Sequence, residues 1–127
     1  MPLTLREIKK ILNANVLYGA GMLDKMINSA CGSDLMSDVL AFVKEQTLLL
    51  TGLTNQHVIR TAELLDVSAI VFVRGKNPTP EIVDMAEEHS IVLMSTSDTL
   101  FTACGKLYCA GLSGGVKSNE ERGNKIF

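Results

Sequence analysis

At 127 residues the chain is the length of one ordinary domain, too short for a two-lobed enzyme with a cleft between its halves. Hydrophobic residues make up 46% and charged residues 20%, which excludes a disordered segment and leaves enough apolar matter for a sizeable core. Twelve Lys and Arg against 14 Asp and Glu give a net charge of -2, too little positive field to hold a nucleic acid backbone.

The first element is a helix over Thr4 to Asn13. Leu5, Ile8, Ile11 and Leu12 share a 3.6-period face, and Thr4 with Glu7 makes a capping box. A short strand, Asn15 to Tyr18, ends at Gly19-Ala20-Gly21. From there the chain alternates apolar runs with amphipathic stretches. The strands are Met26 to Cys31, Thr47 to Thr51, Ala69 to Val73 and Ile91 to Ser95. The helices are Asp34 to Val43, Asn55 to Leu65, Pro80 to His89 and Asp98 to Ala110.

Runs such as Leu48-Leu49-Leu50 and Ile70-Val71-Phe72-Val73 do not alternate polar with apolar, the mark of strands covered on both faces. Strands joined by helices run parallel. The helix faces agree: Val39, Leu40 and Val43; Val58, Ala62 and Leu65; Ile82, Val83 and Ala86; Phe101, Cys104, Leu107 and Tyr108. Thr79 before Pro80 is a helix start, and Ser97 or Asp98 can cap the last helix. The fold class is α/β, a layered α/β/α single domain with a mainly parallel sheet over residues 1–112. Residues 113–127 read as a flexible C-terminal tail.

No apolar run reaches the roughly 18 to 20 residues of a bilayer span, and the N-terminus lacks a signal-peptide layout. Three Cys is an odd number in a chain that needs no disulfides. A cytoplasmic protein with reduced thiols and no membrane partner is expected.

Ligands of open parallel sheets gather at the carboxyl ends of the strands. Four loops qualify: Ser29-Ala30-Cys31-Gly32-Ser33-Asp34, Thr51-Gly52-Leu53-Thr54-Asn55, Arg74-Gly75-Lys76-Asn77 and Ser95-Thr96-Ser97-Asp98-Thr99. Together their hydroxyls, helix N–H groups and cations can hold an anion such as phosphate. The same residue types also serve ordinary turns and caps, so only convergence of several loops distinguishes a site. No P-loop, dinucleotide fingerprint or nucleophile elbow is present. His57 and His89 sit at helix ends, as surface or capping residues do. Cys104 and Cys109 point about 140° apart on one helix, so they cannot share a metal ion; Cys104 reads as core. Cys31, at a strand end before a helix, is the thiol whose pKa such a position can lower.

The order of Thr51-Gly52, the helix Val58 to Leu65, the strand ending in Arg74-Gly75, the strand Ile91 to Ser95 and Asp98-Thr99 resembles the DRTGG domain family. The resemblance covers approximately residues 3–112. A literal Asp-Arg-Thr-Gly-Gly string is missing, and Thr54-Asn55 stands where many members carry an acidic-basic pair. The resemblance implies a regulatory module similar to the N-terminal domain of HPr kinase. Such domains occur beside paired CBS domains in regulated pyrophosphatases and within some phosphotransacetylases. Stand-alone copies resemble small proteins found near iron-only hydrogenase and serine-kinase-like genes.

Three functions follow. The first is a non-catalytic, homodimeric domain that senses a small anionic ligand, a nucleotide or phosphorylated metabolite, through Thr51, Gly52, Thr54, Asn55, Arg74, Gly75, Ser95, Asp98 and Thr99, without cofactor or metal. The second is an adaptor for a hydrogenase-related or kinase-related protein partner. The third is a redox or metal protein built on Cys31.

Overall fold

Thr4 has two roles at the start of the chain. With Leu3 it forms the two-residue strand β1 (Leu3–Thr4), and it caps helix α1 (Leu5–Leu12). Its hydroxyl accepts the Glu7 N–H at 3.1 Å while the Glu7 carboxylate accepts the Thr4 N–H at 2.8 Å, the reciprocal box expected from their spacing.

This computed structural model describes residues 2–42 and 46–114. After α1 come β2 (Asn15–Tyr18), a 3-10 turn (Ala20–Met22), β3 (Met26–Ile27), β4 (Ser29–Gly32) and α2 (Met36–Phe42). Then follow β5 (Thr47–Thr51), α3 (Gln56–Leu64), β6 (Ala69–Phe72), α4 (Pro80–Glu88), β7 (Val92–Ser95) and α5 (Leu100–Cys109).

The main sheet has the order β2-β7-β6-β5-β4. From β4 to β7 neighbours run parallel and in register, as with Leu49 beside Ile70 and Ile70 beside Leu93; β2 closes the far edge antiparallel to β7. A small separate ladder joins β1 to β3.

Alternate residues of each strand feed opposite layers. Leu48, Leu50, Val71, Val92 and Met94 pack with α1 and α5, while Leu49, Ile70, Phe72 and Leu93 pack with α2, α3 and α4. Each of these side chains is completely buried, a contribution of roughly 1.5–3 kcal/mol apiece before the entropy cost. The architecture is the layered α/β/α arrangement with a mainly parallel sheet. Among the described residues no helix is long and apolar enough to cross a membrane.

Several boundaries differ from the sequence expectations. The strand expected over Met26 to Cys31 breaks at Asn28, since β3 pairs with β1 and β4 pairs with β5. Helix α2 begins at Met36 rather than Asp34, and the expected end at Val43 lies outside the described residues. Thr99, not Ser97 or Asp98, caps α5 by accepting the Thr102 N–H. Phe101 and Tyr108 are largely exposed; the buried side of α5 is Ala103 and Leu107. Ser113 is held against β4, its carbonyl accepting the Ala30 N–H at 2.9 Å, whereas tail residues 115–127 lie outside the described residues.

Candidate functional site

Neighbouring strands lie about 4.8 Å apart, so the residues leaving their carboxyl ends stand in a row in strand order. Here the row reads Asp34 after β4, Thr51 and Gly52 at the end of β5, Arg74 and Gly75 after β6, and Asp98 after β7.

One carboxylate ties the first three loops together. Thr51 is buried, and its hydroxyl donates to Asp34 Oδ1 at 3.0 Å; the Gly52 N–H donates to the same oxygen at 2.7 Å. Arg74 Nη2 stands 4.0 Å from Asp34 Oδ2. To reach it, the guanidinium crosses over Gly52, where any Cβ would collide with it, so position 52 has to be glycine for this contact.

Arg74 is held in an unfavourable backbone state. Arg74 and Gly75 have φ of 59° and 67°, and the Lys76 N–H donates to the Val73 carbonyl at 3.2 Å, as in a type I′ turn. The left-handed conformation costs a non-glycine residue on the order of 1–3 kcal/mol. Two bonds to the next loop maintain it: Arg74 N–H to the Asp98 carbonyl at 2.7 Å and Gly75 N–H to the Thr96 carbonyl at 2.9 Å. Buried Thr96 anchors that loop in turn. Its hydroxyl donates to the Leu12 carbonyl at 2.8 Å and accepts the Asp98 N–H at 3.3 Å. The Asp98 carboxylate accepts from Lys106 Nζ at 2.8 Å.

Five of the residues selected from the sequence therefore come together: Thr51, Gly52, Arg74, Gly75 and Asp98. The other four are placed elsewhere or occupied. Asn55 caps α3 by accepting the Val58 N–H at 3.2 Å, and Thr99 caps α5. Ser95 is buried in β7 between Asn15 and Phe72, and Thr54 lies partly buried in the loop beyond Gly52. Sequence reasoning placed Asp34 in the first candidate loop but did not select it as a site residue, reading it as the first residue of a helix, and it missed Lys106, eight residues beyond Asp98.

The model of the DRTGG domain family matches residues 7–108, which contain the whole row. The chain belongs to the DRTGG domain family. This DRTGG domain is also similar to a solved structure, the CBS and DRTGG domains of the regulatory region of Clostridium perfringens pyrophosphatase, complexed with the activator diadenosine tetraphosphate. The TM-score is 0.65 at 19% identity, over 82% of this chain and 45% of that one. The likeness is one of fold, and the chain spans less than half of that neighbour's length. A search of the curated proteins finds no match.

The thiols of this DRTGG domain do not behave as the sequence suggests. Burial pushes the Cys31 thiol up from its ordinary value, and the neighbouring Cys104 and Asp38 add to the rise. The expected lowering fails because desolvation outweighs any helix N-terminus, and α2 begins only at Met36. Cys104 is likewise pushed up by burial, though it is only half-buried rather than core. Among the described residues no group of three His, Cys, Asp or Glu side chains is placed to hold a metal ion. His57 is exposed, and His89, at the end of α4, lies with Nδ1 3.3 Å from Glu63 Oε2.

Proposed function

We propose that this DRTGG domain is a non-catalytic regulatory module that binds a small anionic ligand on the row from Asp34 to Asp98 and acts as a homodimer. One observation carries the reading. The Thr51 hydroxyl, the Gly52 N–H and the Arg74 guanidinium converge on a single carboxylate, that of Asp34. The same three donors suit a phosphate oxyanion, with the guanidinium able to engage two oxygens at once. Asp34 then turns out to solvent, which its half-exposed side chain permits.

A nucleotide or phosphorylated metabolite is the favoured ligand class. The complex of the Clostridium perfringens regulatory region with a dinucleotide activator supports nucleotides, since that region includes the same fold. A non-catalytic role suits the row: the Thr51 hydroxyl and the Asp34 carboxylate that accepts from it are engaged in joining two loops, and burial pushes the nearby Cys31 thiol away from the thiolate form.

Calorimetry with inorganic phosphate, ADP, ATP and diadenosine tetraphosphate tests this. Binding of at least one, lost in Arg74→Ala, is expected. Absence of heat with all four sinks the reading.

A further inference from the structure

Ser95 carries a hydroxyl that the fold does not employ. The residue is 6% exposed, and among the described residues its side chain has no hydrogen-bond partner, whereas the buried hydroxyls of Ser29, Thr51 and Thr96 are bonded. Leaving a buried hydroxyl unpaired costs free energy, so native proteins nearly always supply it with a partner.

The pleat aims this hydroxyl at the start of α4. Leu93, two residues earlier on the same face of β7, packs in the layer that holds Ile82 and Ala86 of α4. Because α4 follows β6, it begins at the carboxyl rim of the sheet, and it packs over β7 and β2. One further two-residue step along β7 toward that rim brings Ser95 beneath the first turn of α4. This turn is itself short of partners. Pro80 has no N–H, the Ile82 and Val83 N–H groups share the Thr79 carbonyl, and the Glu81 N–H has no partner among the described residues. The Thr79 hydroxyl, at the N-cap, accepts no bond from the helix. Opposite Ser95 across the ladder stands exposed Asn15 of β2.

We propose that Ser95 and the N-terminus of α4 form a second oxyanion subsite, which takes one oxygen of a phosphate or carboxylate group between the Ser95 hydroxyl and the Glu81 N–H. The positive end of the helix dipole favours such a group, and Lys76, exposed in the loop leading into α4, adds a cation. Glu81 is the acid of this turn, and its exposed side chain is free to turn to solvent. The small opening at Ser95 selects the ligand chemistry: a single oxygen reaches the hydroxyl, while a base or sugar ring does not. Thr51 lies two strands away, about 10 Å, with fully buried Phe72 between them on the same face. The subsite is therefore separate from the Asp34–Arg74 contact and goes beyond the function proposed for it.

Amide chemical shifts of the full chain, titrated with sodium phosphate and in a second arm with sodium acetate at constant ionic strength, test the subsite. The two arms distinguish phosphoryl from carboxylate ligands. Saturable movement of the Glu81 amide with at least one anion is expected. Ser95→Ala should weaken that response on the order of tenfold, as loss of a hydrogen bond to a charged group does. Its thermal midpoint should be held or raised, because no bond within the fold is lost. Arg74→Ala should keep the Glu81 response while removing that of the Gly52 amide. A Glu81 amide that moves with neither anion, or that moves equally in wild type and Ser95→Ala, overturns the proposal. A markedly lower midpoint in Ser95→Ala does so too, by showing the hydroxyl to be bonded within the fold. Gly52 reports the Arg74 contact in the same titration, so the two readings fail separately.

Discussion

Asp34 and Gly52, eighteen residues apart in the chain, are joined by a hydrogen bond of 2.7 Å from the Gly52 N–H to the Asp34 carboxylate. The bond places a negative charge where the proposed ligand's charge would go, so Asp34 both ties two loops together and competes for their donors.

The Asp34→Ala variant separates these two effects. Losing the acceptor of the Thr51 hydroxyl and the Gly52 N–H is expected to cost about 1–2 kcal/mol, moderated by the exposure of the site. Anion affinity should rise by about tenfold, equivalent to about 1.4 kcal/mol of removed competition. Urea unfolding and phosphate titration measure the two quantities. Weaker phosphate binding in a folded Asp34→Ala protein would show Asp34 to be part of the binding surface rather than its competitor.

A methyl group at position 52 tests the reach of Arg74. In Gly52→Ala the Cβ meets the far end of a flexible, half-exposed side chain, which swings aside cheaply, so the stability loss should stay under about 1 kcal/mol. Displacement of the guanidinium from the row should nevertheless weaken phosphate binding. A thermal melt together with calorimetry reads both, and undiminished affinity would show that the crossing over Gly52 has no part in recognition.

How much of this was legible beforehand depended on whether the signal was local. Leu48-Leu49-Leu50 and Ile70-Val71-Phe72 announced doubly covered strands because both pleat faces are buried, and they are. Thr4 with Glu7, and Thr79 before Pro80, marked helix starts through contacts three residues long or shorter. Asp34 carried no such mark, since its partners lie 17 and 18 residues away on the neighbouring strand's loop. Phe101 and Tyr108 fit a helical apolar face by spacing, but spacing cannot say whether that face meets the sheet or the outside. The antiparallel β2 on the far edge was equally hidden, because strand order is set by long-range pairing and not by any one segment.

The raised thiols at Cys31 and Cys104 set a direction for stability against pH. Below the ordinary thiol value of 9.0 both folded and unfolded chains hold the proton, and the stability contribution is fully present. As the pH climbs past about 9 the unfolded chain ionises first, and stability falls until the folded-state thiols titrate too. Urea midpoints measured on both sides of this value should decline more steeply for the wild type than for a Cys31→Ala, Cys104→Ala double variant. Equal slopes would mean that burial does not shift these thiols. Exposed Cys109 should react first with an alkylating agent at neutral pH, on access alone.

Thr96 links the last turn of α1 to the site, and its replacement by Val leaves the shape nearly unchanged while removing the hydroxyl. The Leu12 carbonyl, at the end of α1, loses the donor that satisfies it, and the Asp98 N–H loses its acceptor. Leaving such groups unpaired in a buried place costs about 1–3 kcal/mol. Because the Asp98 carbonyl accepts the Arg74 N–H, loosening this loop also releases the left-handed turn that aims the guanidinium. Thr96→Val should therefore lower both the unfolding free energy and phosphate affinity, while Thr96→Ser, which keeps the hydroxyl, should largely preserve affinity. Reduced stability with untouched affinity would confine Thr96 to the core and detach Asp98 from the positioning of Arg74.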